Sequence, residues 1–137
     1  MIEELASRVG QEFSDSPSPL GRWLHGRFAA IEHGAVAMTF EVREEFTNPM
    51  GFLHGGIIAA IADDMIGTTI MASDLARKFM SLNLDVQYLG AAKLGDTITA
   101  STKLVEAGKR IIVFDWFIHA ADGGLLARGT SQIFRLG

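Results

Sequence analysis

Asn48-Pro-Met-Gly-Phe-Leu-His-Gly-Gly-Ile-Ile-Ala-Ala-Ile-Ala-Asp63-Asp64 is the stretch that decides the fold. A histidine and two glycines open a run that stays apolar for about five helical turns and carries two carboxylates in its middle. A helix apolar on every side is one that other protein surrounds. A membrane span is the competing reading, and there Asp63 and Asp64 would each cost on the order of 3 kcal/mol. The run therefore reads as the central helix of a soluble protein with no membrane partner.

On either side of this helix the apolar period drops to two. Val36, Met38, Phe40 and Val42 alternate with Ala37, Thr39 and Glu41, and Phe28 to Glu32 reads as the hairpin partner, turning at His33-Gly34. Beyond the helix, Leu82, Leu84, Val86 and Tyr88 alternate with Asn83, Asp85 and Gln87. Three β-rich runs follow, Asp96 to Val105, Arg110 to His119 and Gly124 to Phe134, separated by the turn signals Glu106-Ala-Gly-Lys and Ala121-Asp-Gly-Gly. Phe114, Trp116 and Phe117 read as strand core. Strands alternating this cleanly have one dry face, and only the long helix can cover it. The expected architecture is α+β, a curved antiparallel sheet wrapped around a long central helix.

At the start of the chain, Ile2, Leu5, Val9 and Phe13 recur at helical spacing. Ser14-Asp-Ser-Pro-Ser-Pro breaks this helix, and Leu20 to Leu24 forms another turn or two. The 137 residues make one domain, with residues 1–24 as a helical extension, long enough to bury a core without staples. Cysteine is absent, which removes disulfides, thiolate metal sites and cysteine nucleophiles. The net charge of -4 argues against broad nucleic-acid binding. No basic region precedes an apolar one at the N-terminus, so the expected location is the cytoplasm.

His54 and Asp63 are the obvious acid–base couple. Nine helical positions turn them about 900° apart and separate them by about 13 Å, so they cannot act on one atom within a chain. If both are catalytic, a second copy supplies one of them, and the chain works as a homodimer with composite sites. Asp63 is either a helix carboxylate facing a polar gap or a nucleophile or base beside a ligand cleft. Asp64 lies about 100° further round, so one cleft is not expected to use both. Gly55 and Gly56 are either cap residues or a source of unpaired N–H groups suited to a developing oxyanion, open enough for an acyl group to approach the backbone. His25, His33 and His119 show no ligand spacing with any carboxylate, so no metal and no cofactor are expected.

Together, Asn48-x-x-Gly51-x-x-His54-Gly55-Gly56 followed by Asp63 resembles the hotdog-fold acyl-CoA thioesterases, in the branch typified by the phenylacetate-pathway (PaaI-like) enzyme and thioesterase superfamily member 2. Supporting matches are Tyr88, the Lys93-Leu-Gly-Asp96 turn and Leu126-Ala-Arg-Gly129, and the resemblance covers about residues 26 to 136. It implies hydrolysis of an acyl-CoA thioester by a homodimer, or by a homotetramer of paired dimers. It also implies roles: Asp63 as nucleophile or general base, the Gly55 N–H on the thioester carbonyl, and Asn48 orienting the carboxylate or water. His54 would assist at the sulfur or fix the loop, and Ser81 would position water. These partners are expected from across the dimer interface relative to Asp63. Where many relatives carry a basic residue and a proline after the tyrosine, this chain has Leu89-Gly90-Ala91-Ala92, so Arg77, Lys78, Lys109 and Arg110 are the candidate phosphate contacts. Met65, Ile66, Thr68, Thr69 and the aromatic residues are candidates to line an acyl tunnel.

Two other readings stand beside hydrolysis. One is a dehydratase or hydratase acting on acyl thioesters, since fold does not decide reaction. The other is a non-catalytic acyl-CoA-binding dimer. The spacing from the His-Gly-Gly turn to Asp63 favours the hydrolase.

Overall fold

The computed structural model describes all 137 residues. Seven antiparallel strands form one sheet: β1 (Arg27–Glu32), β2 (Ala35–Glu41), β3 (Phe79–Leu84), β4 (Gln87–Tyr88), β5 (Thr97–Ala107), β6 (Ile111–Ala120) and β7 (Leu125–Arg135). Their order is β1-β2-β5-β6-β7-β3, with β4 also paired to β7. Three helices accompany them, α1 (Ile2–Ala6), α2 (Pro19–Leu24) and α3 (Gly55–Ala72), and α3 lies across β2, β3, β5 and β6. The curved sheet around a central helix is the architecture expected from the alternation.

Strand β6 shows why the sheet has a dry face. Ile112, Phe114, Trp116 and Ile118 are fully buried and point at α3, whose Ile58, Ile61, Met65, Ile66 and Ile70 meet them in one core. Burying side chains of this size is worth about 1.5–3 kcal/mol each before entropy is counted. Irregular register between Phe28 and Ala30, Ser81 and Asn83, Leu104 and Glu106, and Ile118 and His119 adds the local bends that curl the strands. Phe117 departs from the expected core. It alternates onto the outer face, half-buried, with the Arg128 guanidinium 5.8 Å above its ring.

The N-terminal helix is shorter than its spacing predicts. It ends at Ala6, Gly10 takes a φ of +90°, and Val9 is exposed. Phe13 is buried because the chain doubles back along β1, where its ring lies 4.7 Å from Phe28. The strand after α3 is also interrupted. Leu82 is skipped in the pairing with β7, and Asp85-Val86 separates β3 from β4. Leu82 and Tyr88 are consequently half exposed instead of lining the dry face.

Helix α3 is long and apolar enough to cross a membrane by length and composition, but half of it is buried against the sheet. Nor does its own chain surround it completely. Gly56, Ala60, Asp63 and Gly67 follow one another at helical spacing along a stripe that is exposed or half-buried.

Candidate active site

The loop before α3 is built by Asn48. Its Oδ1 accepts from the N–H groups of Met50 (3.0 Å) and Phe52 (3.1 Å), and its carbonyl accepts from Gly51, whose φ of +83° closes the turn. The side-chain oxygen is thus occupied by the loop, which leaves the Asn48 amide N–H groups for any other partner. Gly51 reaches this left-handed region without the penalty a Cβ would bring.

His54 caps the helix. Its backbone is extended, and its Nδ1 accepts from the Gly56 N–H at 2.8 Å, which puts the ring proton on Nε2. The first turn of a helix leaves its N–H groups without intrahelical partners. Here the His54 N–H donates to the Phe46 carbonyl, and Ile57 and Ile58 both donate to the His54 carbonyl. With Gly56 held by the ring, Gly55 alone keeps an unpartnered N–H, at the positive end of an 18-residue helix. Tyr88 Oη donates to the Gly55 carbonyl (2.9 Å), and a Cβ on Gly55 would meet that ring at 3.1 Å. The glycine is what lets the tyrosine lie this close.

Asp63 is exposed on the open stripe, not shut in by apolar neighbours. Ser81 Oγ donates to its Oδ1 at 2.8 Å, within the same chain. The expectation that Ser81 reaches Asp63 across an interface is therefore corrected. The bulge at Leu82 brings the start of β3 alongside the middle of α3. Asn48, His54 and Gly55 remain at the far end of the helix and make no hydrogen bond to Asp63.

Asp63 and Asp64 both line one cavity of about 670 Å³, although one cleft was not expected to use both. Thr68, Gly67 and Met71 continue its helical wall, Arg77 and Phe79 close one side, and Ser16, Pro17, Ser18 and Leu20 form the opposite wall. Of the tunnel candidates Thr68 and the aromatic Phe79 lie here, the Thr68 hydroxyl donating to the Asp64 carbonyl (3.1 Å). Met65, Ile66 and Thr69 point into the core. Asp64 is half-buried, and Ser18 Oγ donates to its Oδ1 at 2.6 Å. Burial holds this carboxyl above its ordinary value, the Ser18 hydroxyl opposes that, and the Asp63 charge adds to it. No motif in residues 14–20 marks them as a cavity wall. Their only signal is turn chemistry.

Of the basic candidates, Arg77 alone lines the cavity. Pairing nevertheless gathers the others at the same end of the sheet. The Arg110 carbonyl accepts from the Arg135 N–H (2.8 Å), the Lys78 carbonyl accepts from the Leu136 N–H (2.8 Å), and Lys109 precedes Arg110 in the β5–β6 turn. Arg135 joins this group, and none of the five makes an ion pair. It escaped the sequence reading because only the pairing of β6, β7 and β3 brings it beside the rest.

The family model described as Thioesterase superfamily matches residues 50–127. Human acyl-coenzyme A thioesterase 13 is 29% identical over 97 residues, which is 70% of this chain and 69% of that protein. A hypothetical thioesterase from Streptococcus pneumoniae, crystallised with coenzyme A, superposes with a TM-score of 0.78 at 26% identity, covering 82% of this chain and 86% of that one. The Escherichia coli PaaI protein from the phenylacetic acid degradation operon shares the fold, with a TM-score of 0.81 at 20% identity over 88% of this chain and 86% of that one.

Proposed function

The chain is a thioesterase of the hotdog fold, a member of the Thioesterase superfamily, and from that premise we propose that it hydrolyses an acyl-coenzyme A thioester to the free acid and coenzyme A. The observation that carries this reading is the Ser81–Asp63 pair, whose carboxylate lines the cavity. A serine hydroxyl fixes one carboxylate oxygen, and the other is left for a water or a carbonyl carbon.

In the general-base course, Asp63 takes a proton from water as the water oxygen bonds to the thioester carbon. The tetrahedral oxyanion is held by a Gly55 N–H, the C–S bond breaks, and the thiolate receives the proton. In the nucleophilic course Asp63 itself forms the new C–O bond as the C–S bond breaks, the departing thiolate takes a proton from solvent, and water then cleaves the mixed anhydride to release the acid and restore the Asp63 carboxylate. Both courses need an oxyanion donor near Asp63, and the free Gly55 N–H of the same chain lies about 12 Å away along the helix. A second copy supplies it.

Three features support that copy. Strand β3 ends the sheet order with one edge unpaired, a surface that favours strand addition. Met80, Leu82, Tyr88 and Leu89 around it are 50–57% exposed. The Gly56–Ala60–Asp63–Gly67 stripe lets another backbone come close. An isologous pair places each Gly55 against the other copy's Asp63. The unpaired cations Arg77, Lys78, Lys109, Arg110 and Arg135 would face the phosphates. Free-thiol release across aliphatic and aromatic acyl-CoAs tests the activity, and Asp63→Asn should abolish most of it.

A further inference from the structure

Helix α3 presents two carboxylates to one cavity, and only Asp63 has a part in the chemistry proposed above. Asp64 points to the opposite wall, the segment Ser16–Leu20 that leads into α2. Most of the hydrogen bonds inside this wall are short-range. Ser18 N–H donates to Ser16 Oγ (3.1 Å), Gly21 N–H to Ser18 Oγ (3.1 Å), and Arg22 Nη1 to the Ser16 carbonyl (2.7 Å). The one hydrogen bond from Ser16–Leu20 to helix α3 runs from Ser18 Oγ to Asp64 Oδ1, spanning 46 positions of sequence at 2.6 Å, while Asp15 just before the segment is paired with Arg8 at 2.6 Å. Gly21 keeps that approach possible, since a Cβ there would lie 2.8 Å from the Asp64 carboxylate.

We propose that Asp64 is a positioning residue which, through Ser18, holds Ser16–Leu20 as the movable wall that sets the size of acyl group the cavity accepts. This rests on the acyl-CoA hydrolase reading. Asp63 lines the cavity as the proposed reacting group, and Leu20, Pro17 and Met71 give the same cavity an apolar lining suited to an acyl chain. With its one hydrogen bond to α3 in place, the wall closes on short acyl groups. Freed of that anchor, it swings away and admits longer ones. The carboxylate suits the task because one oxygen takes the Ser18 proton while Ser18 still accepts from Gly21.

The test measures kcat/KM for straight-chain acyl-CoAs of increasing length, and for phenylacetyl-CoA, in wild type, Ser18→Ala, Asp64→Ala and Asp64→Asn. Ser18→Ala and Asp64→Ala should each raise the long-to-short ratio of kcat/KM at least about fivefold, mainly through KM, and the double variant should add little to either. Asp64→Asn keeps an acceptor for Ser18 and should retain the wild-type profile. Hydrogen exchange should quicken at the Gly21 and Arg22 amides in the two alanine variants and not in Asp64→Asn. An unchanged length profile in both alanine variants overturns the proposal, as does an Asp64→Asn profile as altered as that of Asp64→Ala. A wild type silent on every acyl-CoA would instead overturn the hydrolase reading, whereas a failed wall leaves an active enzyme with an unaltered profile.

Discussion

Ser81 Oγ lies 2.8 Å from Asp63 Oδ1 in a single chain, so the start of β3 meets the middle of α3 without a second copy, and in the proposed mechanism this pair is one copy's share of the reaction centre. Removing the hydroxyl leaves the carboxylate in place but free to rotate. Ser81→Ala should lower kcat by about 10- to 100-fold with a small change in KM, a fraction of the roughly 10²–10⁴ that a positioned base contributes. Asp63→Asn should reach or exceed the upper figure. Steady-state kinetics on the best acyl-CoA decide it, and near wild-type turnover in Asp63→Asn would remove Asp63 from the mechanism.

Gly55 has two duties, a free N–H and room for Tyr88. Gly55→Val pushes on the Tyr88 ring and displaces that N–H, so kcat should fall by about 10²–10³-fold, the loss typical of one oxyanion donor. Tyr88→Phe removes only the hydroxyl bonded to the Gly55 carbonyl and should cost less. Equal losses in the two variants would show that the tyrosine hydroxyl, and not the amide, is the group that matters.

Gly129 explains why a glycine ends the Leu126-Ala-Arg-Gly129 segment. A Cβ there would sit 1.7 Å from the Asp85 carbonyl oxygen and 2.8 Å from Trp116 Nε1. The break between β3 and β4 therefore presses directly on β7. Gly129→Ala should destabilise the fold by about 1–3 kcal/mol, the usual cost of overpacking. It should also shift Ser81 and Tyr88, which flank that break. Thermal unfolding with kinetics measures both effects.

The Asp64 carboxyl is held above its ordinary value of 3.8 by burial, against the Ser18 hydrogen bond and with the Asp63 charge adding to the rise. The folded chain then binds this proton more readily than the unfolded chain, so Asp64 lowers stability as pH rises from about 3.8 through the raised value. Asp64→Asn, which cannot ionise, should be more stable than wild type at neutral pH, and the difference should vanish in acid. Urea unfolding at the two pH values checks the sign. A less stable Asp64→Asn at neutral pH would contradict it.

Local pattern carried most of the architecture. The hairpins and α3 were legible because alternation, turn residues and the Asn48–His54–Gly55–Gly56 spacing are all short-range signals. Phe117 was misplaced because β6 is apolar on both faces, with Ile111, Val113 and Phe117 half-buried outside, so hydrophobicity could not choose the side. Ser81 was expected across the interface on the family resemblance alone, since the one-residue bulge at Leu82 beside it leaves no mark in period-two alternation. Ser18 and Asp64 went unnoticed as a pair because nothing local joins positions 46 apart.

Subunit complementation tests the composite site most directly. Asp63→Ala and Gly55→Val are purified separately as inactive proteins, then unfolded together and refolded as a mixture. If each site joins one copy's Asp63 to the other copy's Gly55, every heterodimer holds one intact site. Activity should then return to about a quarter of wild type, from half of the dimers carrying half of their sites. A mixture no more active than its parents would place both groups of each site in one chain and contradict the shared arrangement.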